Sequence, residues 1–154
     1  MFDMSDSKEK LYIETDYSCA YCGQKGLDNL SVDHIDGKNA RKANSYDNLI
    51  VLCHNCHHRK TNGKGITLDQ IKKLKKSLIY KTLTLYGVNA IKTCVRNNYG
   101  IAATPFLVNH LVELGLLKFT EEISSYGSNG HEVSTEALYQ LTDEGKRIYD
   151  KWLR

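Results

Sequence analysis

Two pairs of cysteines constrain the fold of this chain more than any other feature. Each pair has the spacing Cys-x2-Cys, and 30 residues separate the pairs. In a reducing cytosol, paired cysteines indicate a bound metal rather than disulfides. Four thiolates fill a tetrahedral zinc site and leave no position open, so such a metal is structural. The sequence therefore predicts a structural zinc site with the ligands Cys19, Cys22, Cys53 and Cys56.

The length of 154 residues suits one ordinary domain or two small ones. Apolar residues make up 41% and charged residues 25%, which is typical of a globular protein. No segment approaches the roughly 18 apolar residues that a membrane span needs. The polar start of the chain, Met1 to Leu11, lacks the apolar core of a signal peptide. We therefore expect a cytoplasmic protein without a membrane partner.

The chain divides into three pieces, and together they predict an α+β fold. Residues 1–64 are rich in Cys, His, Asn and Gly, with short strands expected at Leu30–Val32 and Leu49–Leu52. So small a piece buries little apolar surface, and zinc would supply the missing folding free energy. Residues 65–87 read as a connecting helix, capped by Thr67 and ended by Gly87. Residues 88–154 form the third piece, in which helical periodicity is clear.

Basic residues are concentrated around the connecting helix. From His57 to Lys81 there are eight Lys or Arg and a single acid, Asp69. Such a segment suits contact with a polyanion, while a solvated helix face is the plainer interpretation of a charge run. We take Lys72 and Lys76 as candidate DNA contacts on this helix.

The residues between and beside the cysteine pairs carry a second pattern. Val32-Asp-His-Ile35 ends the first expected strand, Asn48 precedes the second, and His57 directly follows the last cysteine. In order, residue type and approximate spacing, this pattern resembles the HNH, or ββα-metal, endonuclease family over about residues 17 to 61. The resemblance implies a small zinc-stapled nuclease domain that acts on DNA.

The resemblance also implies roles for single residues. His34 would be the general base, and Asp33 and His57 would bind a divalent cation. Asn48 would either orient His34 or join the metal shell. The catalytic cation would be Mg²⁺ or Mn²⁺, with Ni²⁺ or Zn²⁺ as alternatives, and no small-molecule cofactor is expected.

The chemistry of phosphodiester hydrolysis agrees with these roles. A neutral imidazole has a pKa near ~6.5 and can take a proton from water if an acceptor holds its other ring N–H. A hard cation held by one carboxylate, one His and waters keeps positions free for phosphate. Asp33 and His34 are adjacent, so on a regular strand their side chains point to opposite sides. Both serve one site only if the chain twists or leaves the strand there.

Several neighbouring residues have more than one interpretation. His54 is expected to face solvent, and His58 competes with His57 as the ligand, although the family pattern favours His57. Arg59 and Lys60 either clamp a phosphate or form a solvated helix end. In the third piece, Cys94 lies among apolar residues and is expected to be a buried thiol.

The third piece resembles a winged helix-turn-helix domain through two phrases, Leu111–Leu117 and Leu138–Gly145. The resemblance implies a recognition helix at about Thr104 to Leu114 and a wing at about Lys118 to Tyr139. In such a helix Thr104 and Asn109 would reach bases. Neither residue is basic, so the candidate phosphate contacts are Arg96, Lys92 and Lys118. The wing carries four acids and suits DNA poorly, so packing on the nuclease or dimerisation is the alternative; these acids are Glu121, Glu122, Glu132 and Glu136.

The leading hypothesis from the sequence is a metal-dependent DNA endonuclease, with a restriction, homing or phage nuclease as the biological context. The alternatives are a non-catalytic zinc-containing DNA-binding regulator and a protein-interaction module. One HNH site cuts one strand, so double-strand cleavage would need a homodimer or two encounters.

Overall fold

The computed structural model describes residues 4–40 and 42–154, and it confirms a mixed α+β fold. The chain forms two compact units, of which the first ends at Thr82 and the second covers Leu83–Arg154. Within the described ranges, none of the helices combines the length and apolar character needed to cross a bilayer.

The first unit is built around an antiparallel hairpin. Strand β1 covers Leu30–His34 and strand β2 covers Leu49–Cys53, so both expected strands are confirmed. In their register Leu30 pairs with Cys53 and His34 pairs with Leu49. Helix α2, His54–Thr61, follows β2 without a break. The order strand, strand, helix places the end of β1 beside α2.

The core of this unit lies around β2, in which all five residues are buried. It also includes the fully buried Leu11 and Ile71 and three of the four paired cysteines, Cys19, Cys53 and Cys56. A strand buried on both faces reads as a continuous apolar run, as Leu49–Leu52 does. The cysteines are therefore part of the core rather than an appendage to it.

Helix α1, Met4–Glu14, was not expected, because the sequence predicted only strands and loops in this piece. Met1–Asp3, at the start of the segment compared with a signal peptide, lie outside the described residues. In α1, Leu11 and Glu14 are buried while Ile13 is 56% exposed. Because its buried residues include an acid beside Leu11, α1 does not show the apolar stripe by which a helix is predicted from a sequence.

The expected connecting helix is the first of two helical runs that meet at a kink. Helix α3 is assigned to Leu68–Arg96, and its start is confirmed as a capping box: Gln70 N donates to Thr67 Oγ1 and Thr67 N donates to Gln70 Oε1. The expected end at Gly87 is wrong. The helix is instead interrupted at Thr84, whose φ of 62° and ψ of 168° are not helical.

Gly87 serves packing rather than termination. A Cβ at this position would lie 2.8 Å from His110 Nε2 and 3.1 Å from Leu111 Cδ2, so only glycine permits this approach. The Nε2–H of His110 donates to the Leu83 carbonyl at 2.7 Å. This bond satisfies a carbonyl at the interruption.

The second unit contains a three-stranded antiparallel sheet in the order β3-β5-β4. The strands are Gly100–Ala103, Leu117–Tyr126 and Val133–Leu141 for β3, β4 and β5. Helix α4, Pro105–Glu113, lies between β3 and β4 in the chain, within the range from Thr104 to Leu114 where a helix was expected. Gly100 begins β3 and pairs with Gln140.

Turns and caps in this unit occur at residues that favour them. Gly115 adopts φ 71° just after α4, and the segment Gly127–Gly130 lies between β4 and β5. Thr142 caps helix α5, Asp143–Ile148, by accepting a hydrogen bond from Gly145 N at 3.0 Å. Cys94 is fully buried, and burial raises the pKa of its thiol to about 11. A π-helical turn, Tyr149–Leu153, follows α5.

Candidate functional site: a four-cysteine cluster and a carboxylate–histidine pair

The four paired cysteines meet in space. Their sulfur atoms all lie within 4.8 Å of one another, and no disulfide links them. Cys22 Sγ and Cys53 Sγ are 3.7 Å apart. Tetrahedral zinc–thiolate bonds of ~2.3 Å place two sulfurs about 3.8 Å apart, so the cluster has the size that zinc requires. The cysteines therefore form a candidate structural metal site.

The surroundings of the cysteines favour a bound cation. Burial opposes ionisation of Cys19, yet hydrogen bonds from the backbone of Cys22 and Cys53 lower its pKa to about 7. Burial raises the pKa of Cys56, and the three neighbouring cysteines raise it further. Thiolates crowded together repel one another, and a cation at their centre removes this repulsion.

A second polar cluster lies where β1 meets α2. Asp33 is buried, and its Oδ1 lies 3.2 Å from Nδ1 of His57. This Nδ1 is itself buried, and it makes no hydrogen bond within the described residues. The two atoms are thus close together without being bonded to each other. A carboxylate oxygen and an imidazole nitrogen converging in this way suit two ligands of one divalent cation.

Lys60 reaches the same carboxylate from the next turn of α2. Its Nζ lies 2.7 Å from Asp33 Oδ2 and donates to the backbone carbonyl of His34 at 2.6 Å. The Lys60 side chain is only 15% exposed. The Lys60 ammonium points inward, toward Asp33. It therefore matches neither interpretation from the sequence, a phosphate clamp or a solvated helix end.

The imidazole of His34 is held by a residue that the sequence analysis did not select. His34 Nε2 lies 2.9 Å from Asn44 Oδ1. Because an amide oxygen can only accept, a neutral ring that makes this bond has its proton on Nε2 and a lone pair on Nδ1. The arrangement that a general base needs is present, with Asn44 as the acceptor.

Asn48 makes contacts different from those expected. Its Oδ1 accepts from the backbone N–H of Asp36 at 2.9 Å, and its Nδ2 donates to the Ala43 carbonyl at 2.9 Å. Both bonds are to backbone groups, and neither is to the His34 ring. Asn48 is buried at the end of a 3₁₀ turn, Tyr46–Asn48, where its amide satisfies backbone groups of the loop between the strands. These bonds hold the loop together, and the predicted part of Asn48 in the metal shell stays a prediction.

A comparison with protein families gives a match to this part of the chain. Residues 19–63 match the HNH endonuclease family. The match confirms the resemblance seen over about residues 17 to 61, and it indicates a nuclease-type function linked to nucleic acid. Searches of curated proteins and of solved structures found no match to the chain.

Within the HNH segment, the three histidines of α2 differ in exposure and in their contacts. His54 and His58 are exposed, and His58 lies beside Asn62, whose Nδ2 is 2.9 Å from His58 Nε2. Of these three histidines, His57 is the one beside Asp33. Arg59 donates to the Lys64 carbonyl at 3.2 Å and lies 5.9 Å from the centre of the Tyr21 ring.

A buried polar network supports the HNH segment from both of its flanks. Glu14 accepts hydrogen bonds from Lys75 Nζ at 2.7 Å, from Thr82 Oγ1 at 2.9 Å and from the Tyr46 hydroxyl. Lys75 Nζ also lies 3.9 Å from the centre of the Tyr46 ring. Burial lowers the pKa of Lys75 and raises that of Tyr46 well above its ordinary value, the latter with help from the Glu14 charge. The network anchors the turn that leads into Asn48.

The remaining candidate DNA contacts lie on helices outside the HNH segment. On α3, Lys72 lies 3.0 Å from Asp36, just after the end of β1, and Lys76 is exposed. In the second unit, Arg96 and Asn109 are exposed, and Thr104 precedes α4 without a side-chain capping bond.

Proposed function

We propose that this chain is a metal-dependent DNA endonuclease that hydrolyses phosphodiester bonds at the Asp33–His57 pair. The observation that carries the proposal is the buried, unbonded Nδ1 of His57 beside Asp33 Oδ1, within the segment that matches the HNH family. A buried polar atom without a partner is rare and needs an explanation, and a shared cation supplies one.

Two groups of residues would share the work. Asp33 Oδ1 and His57 Nδ1 would hold Mg²⁺ or Mn²⁺, which would polarise a phosphoryl oxygen and stabilise the leaving 3′ oxygen. His34 would take a proton from water on Nδ1 while Asn44 holds Nε2. The water oxygen would bond to phosphorus as the P–O3′ bond breaks, leaving a 5′ phosphate and a 3′ alkoxide, which would take a proton from solvent water to become a 3′ hydroxyl. Lys60, bonded to both Asp33 and the His34 backbone, links the two groups.

Zinc at the four cysteines would have no part in the chemistry. Four protein ligands leave no position for water or phosphate, so the metal would stabilise the fold alone. It would fix Cys19 and Cys22 against the end of β2 and the start of α2. Helix α2 is the element that carries His57.

The test is cleavage of supercoiled plasmid by the zinc-loaded protein with Mg²⁺ or Mn²⁺, followed by sequencing of the ends. We expect nicked circles with the wild type and none with His34→Ala or His57→Ala. His58→Ala is the matched control, because it removes an exposed imidazole from the same helix. Cleavage by His57→Ala at the wild-type rate would exclude the proposed site. DNA binding without cleavage in any metal would favour a non-catalytic regulator.

Sequenced ends would also test the finer proposals. A single recurring end sequence would support a site-specific nuclease of the restriction, homing or phage type. Random ends would contradict target selection by the second unit.

A further inference from the structure

The charges around Asp33 set an unusual condition on cation binding. Cation sites in proteins are normally rich in negative ligands, because each carboxylate offsets the cost of dehydrating the ion. Here the Asp33 carboxylate has the Lys60 ammonium 2.7 Å from Oδ2. Its other neighbour, His57, must be neutral to act as a ligand. The pair Asp33–Lys60 therefore offers a cation no net negative charge.

The next acid along the chain does not change this balance. Asp36 lies 3.0 Å from Lys72 Nζ, so it too has an ammonium beside it. The Lys60 position is also well defined, since Nζ donates both to Asp33 and to the His34 carbonyl and its side chain is 85% removed from solvent. Exchange of Lys60 for a cation at Oδ2 would break both contacts.

We propose that Lys60 is a positioning residue that makes cation binding depend on DNA. By neutralising Asp33 and reserving its Oδ2, Lys60 keeps the Asp33–His57 pair a weak cation site in the free protein. A phosphate of bound DNA would supply the missing negative charge, and Asp33 and His57 would then hold the cation more tightly. This inference rests on the proposed nuclease function and deepens it.

The inference predicts a coupling between two affinities, that for the cation and that for DNA, and each can be measured. If DNA raises the affinity for the cation by some factor, the cation must raise the affinity for DNA by the same factor. Without Lys60 the free protein already holds a net negative charge at Asp33, so this coupling factor should shrink. A free nuclease that holds its cation weakly would also be idle away from its substrate.

The experiment is a Mn²⁺ titration of the zinc-loaded full chain, followed by the loss of the His57 ring resonance in NMR spectra. It is run without DNA and with a short duplex, in a His34→Ala background that prevents cleavage. Removal of one positive charge a few ångströms from a divalent ion raises the affinity about tenfold or more. We expect that gain for Lys60→Met in the absence of DNA, and wild-type affinity for Lys60→Arg.

The controls separate this role from a structural one. Lys64→Met removes an exposed lysine from the same stretch of chain and should leave Mn²⁺ affinity unchanged. Lys60→Gln keeps polar contacts to Asp33 and the His34 carbonyl, so it should fold even if Lys60→Met does not, and it should also bind Mn²⁺ more tightly. If Lys60 had only a structural role, Lys60→Met and Lys60→Gln would bind Mn²⁺ as tightly as the wild type or more weakly. That result would overturn the inference.

Failure of the inference and failure of the proposed function give different results. If the wild type cleaves plasmid but neither neutral variant binds Mn²⁺ more tightly, only the role of Lys60 is wrong. If the wild type cleaves no DNA in any divalent metal, the proposed function itself fails, whatever the affinities are.

Discussion

At the scale of single residues, the Asn44–His34 contact decides which ring nitrogen is available for chemistry. An imidazole without a fixed partner divides its population between two tautomers and several ring orientations. The Asn44 oxygen, 2.9 Å from Nε2, selects the form with a free Nδ1. The loop carrying Asn44 is in turn fixed by Asn48, which bonds the Ala43 carbonyl next to it.

We predict that Asn44→Leu slows plasmid nicking by about ten- to a hundredfold, the usual effect of removing a group that orients a site histidine. Asn44→Asp keeps an acceptor oxygen and should retain most of the rate. The measurement is single-turnover nicking at saturating protein. Asn62→Leu is the control, because it also removes an asparagine amide from beside a histidine ring, that of the exposed His58. An Asn44→Leu protein as fast as the Asn62→Leu protein would show that this contact has no catalytic role.

Asp33 and His57 could be selected from the sequence, whereas Asn44 could not. A residue at a strand end and one in the first turns of a helix are placed by regular geometry, and the adjacent cysteines fix where that helix starts. Asn44 belongs to an irregular loop, and its partner depends on backbone angles that no periodicity encodes. The family pattern drew attention to Asn48 instead, and that residue proves to bond the backbone of the loop.

At the scale of elements, α1 and α3 hold the hairpin through buried charge. The Glu14 and Lys75 side chains are 2% and 0% exposed. Removing one partner of such a pair leaves an uncompensated buried charge, whereas replacing both with apolar groups can be neutral. The contact therefore specifies how the helices meet the Tyr46 turn more than it stabilises the unit.

We predict that Glu14→Gln lowers the free energy of unfolding of the zinc-loaded protein by about 3–5 kcal/mol, because Lys75 then lacks its anion. The double variant Glu14→Leu/Lys75→Met should recover most of that loss. Urea denaturation followed by circular dichroism measures both, with Glu9→Gln as a control on the exposed side of α1. If Glu14→Gln is no less stable than Glu9→Gln, the pair is not the buried ion pair described above.

The same network explains why α1 was not predicted from the sequence. Helices are found from apolar periodicity, and the residues that hold α1 in place include Glu14, an acid that ordinarily faces solvent. Helix α3 was predicted with a cap at Thr67 and an end at Gly87, whereas its kink at Thr84 was not predicted. Gly87 resembled a stop signal, whereas the glycine was required by His110 and Leu111, which are distant in sequence.

The cysteine cluster joins the turn that holds Cys19 and Cys22 to β2 and α2, so metal removal should unfold the first unit. We predict one zinc ion per chain, and loss of both zinc and native circular dichroism when Cys22→Ser removes an exposed ligand. Cys94→Ala removes the remaining, buried cysteine and should leave the zinc content at one. Elemental analysis by mass spectrometry measures the zinc. A Cys22→Ser protein that keeps a full equivalent of zinc would exclude the four-cysteine site.

At the scale of the whole molecule, charge is divided unevenly between the two units. Residues 2–82 carry 14 Lys or Arg against 10 Asp or Glu, while residues 83–154 carry seven against eight. Nonspecific attraction to DNA depends on Lys and Arg that neutralise phosphates. The first unit therefore carries an excess of the positive charge on which attraction to DNA depends, and the second unit does not.

This division predicts different responses to salt. The logarithm of the DNA-binding constant falls linearly with the logarithm of salt concentration, and each phosphate contact adds about one to the slope. Lys72→Gln/Lys76→Gln should reduce the slope by about two. Lys92→Gln/Lys118→Gln removes as many charges from the second unit and should change the slope by less than one. Equal changes from the two double variants would show that the second unit contacts the phosphate backbone as much as the first unit does.

Base reading by α4 is separable from this electrostatic term. Asn109 is an exposed polar residue of α4, and a direct contact to a base edge contributes discrimination without releasing counterions. If α4 reads DNA, Asn109→Ala should narrow the difference in affinity between preferred and random duplexes and leave the salt slope unchanged. If the second unit instead binds protein, Asn109→Ala should change neither quantity, because the DNA contacts would all lie in the first unit.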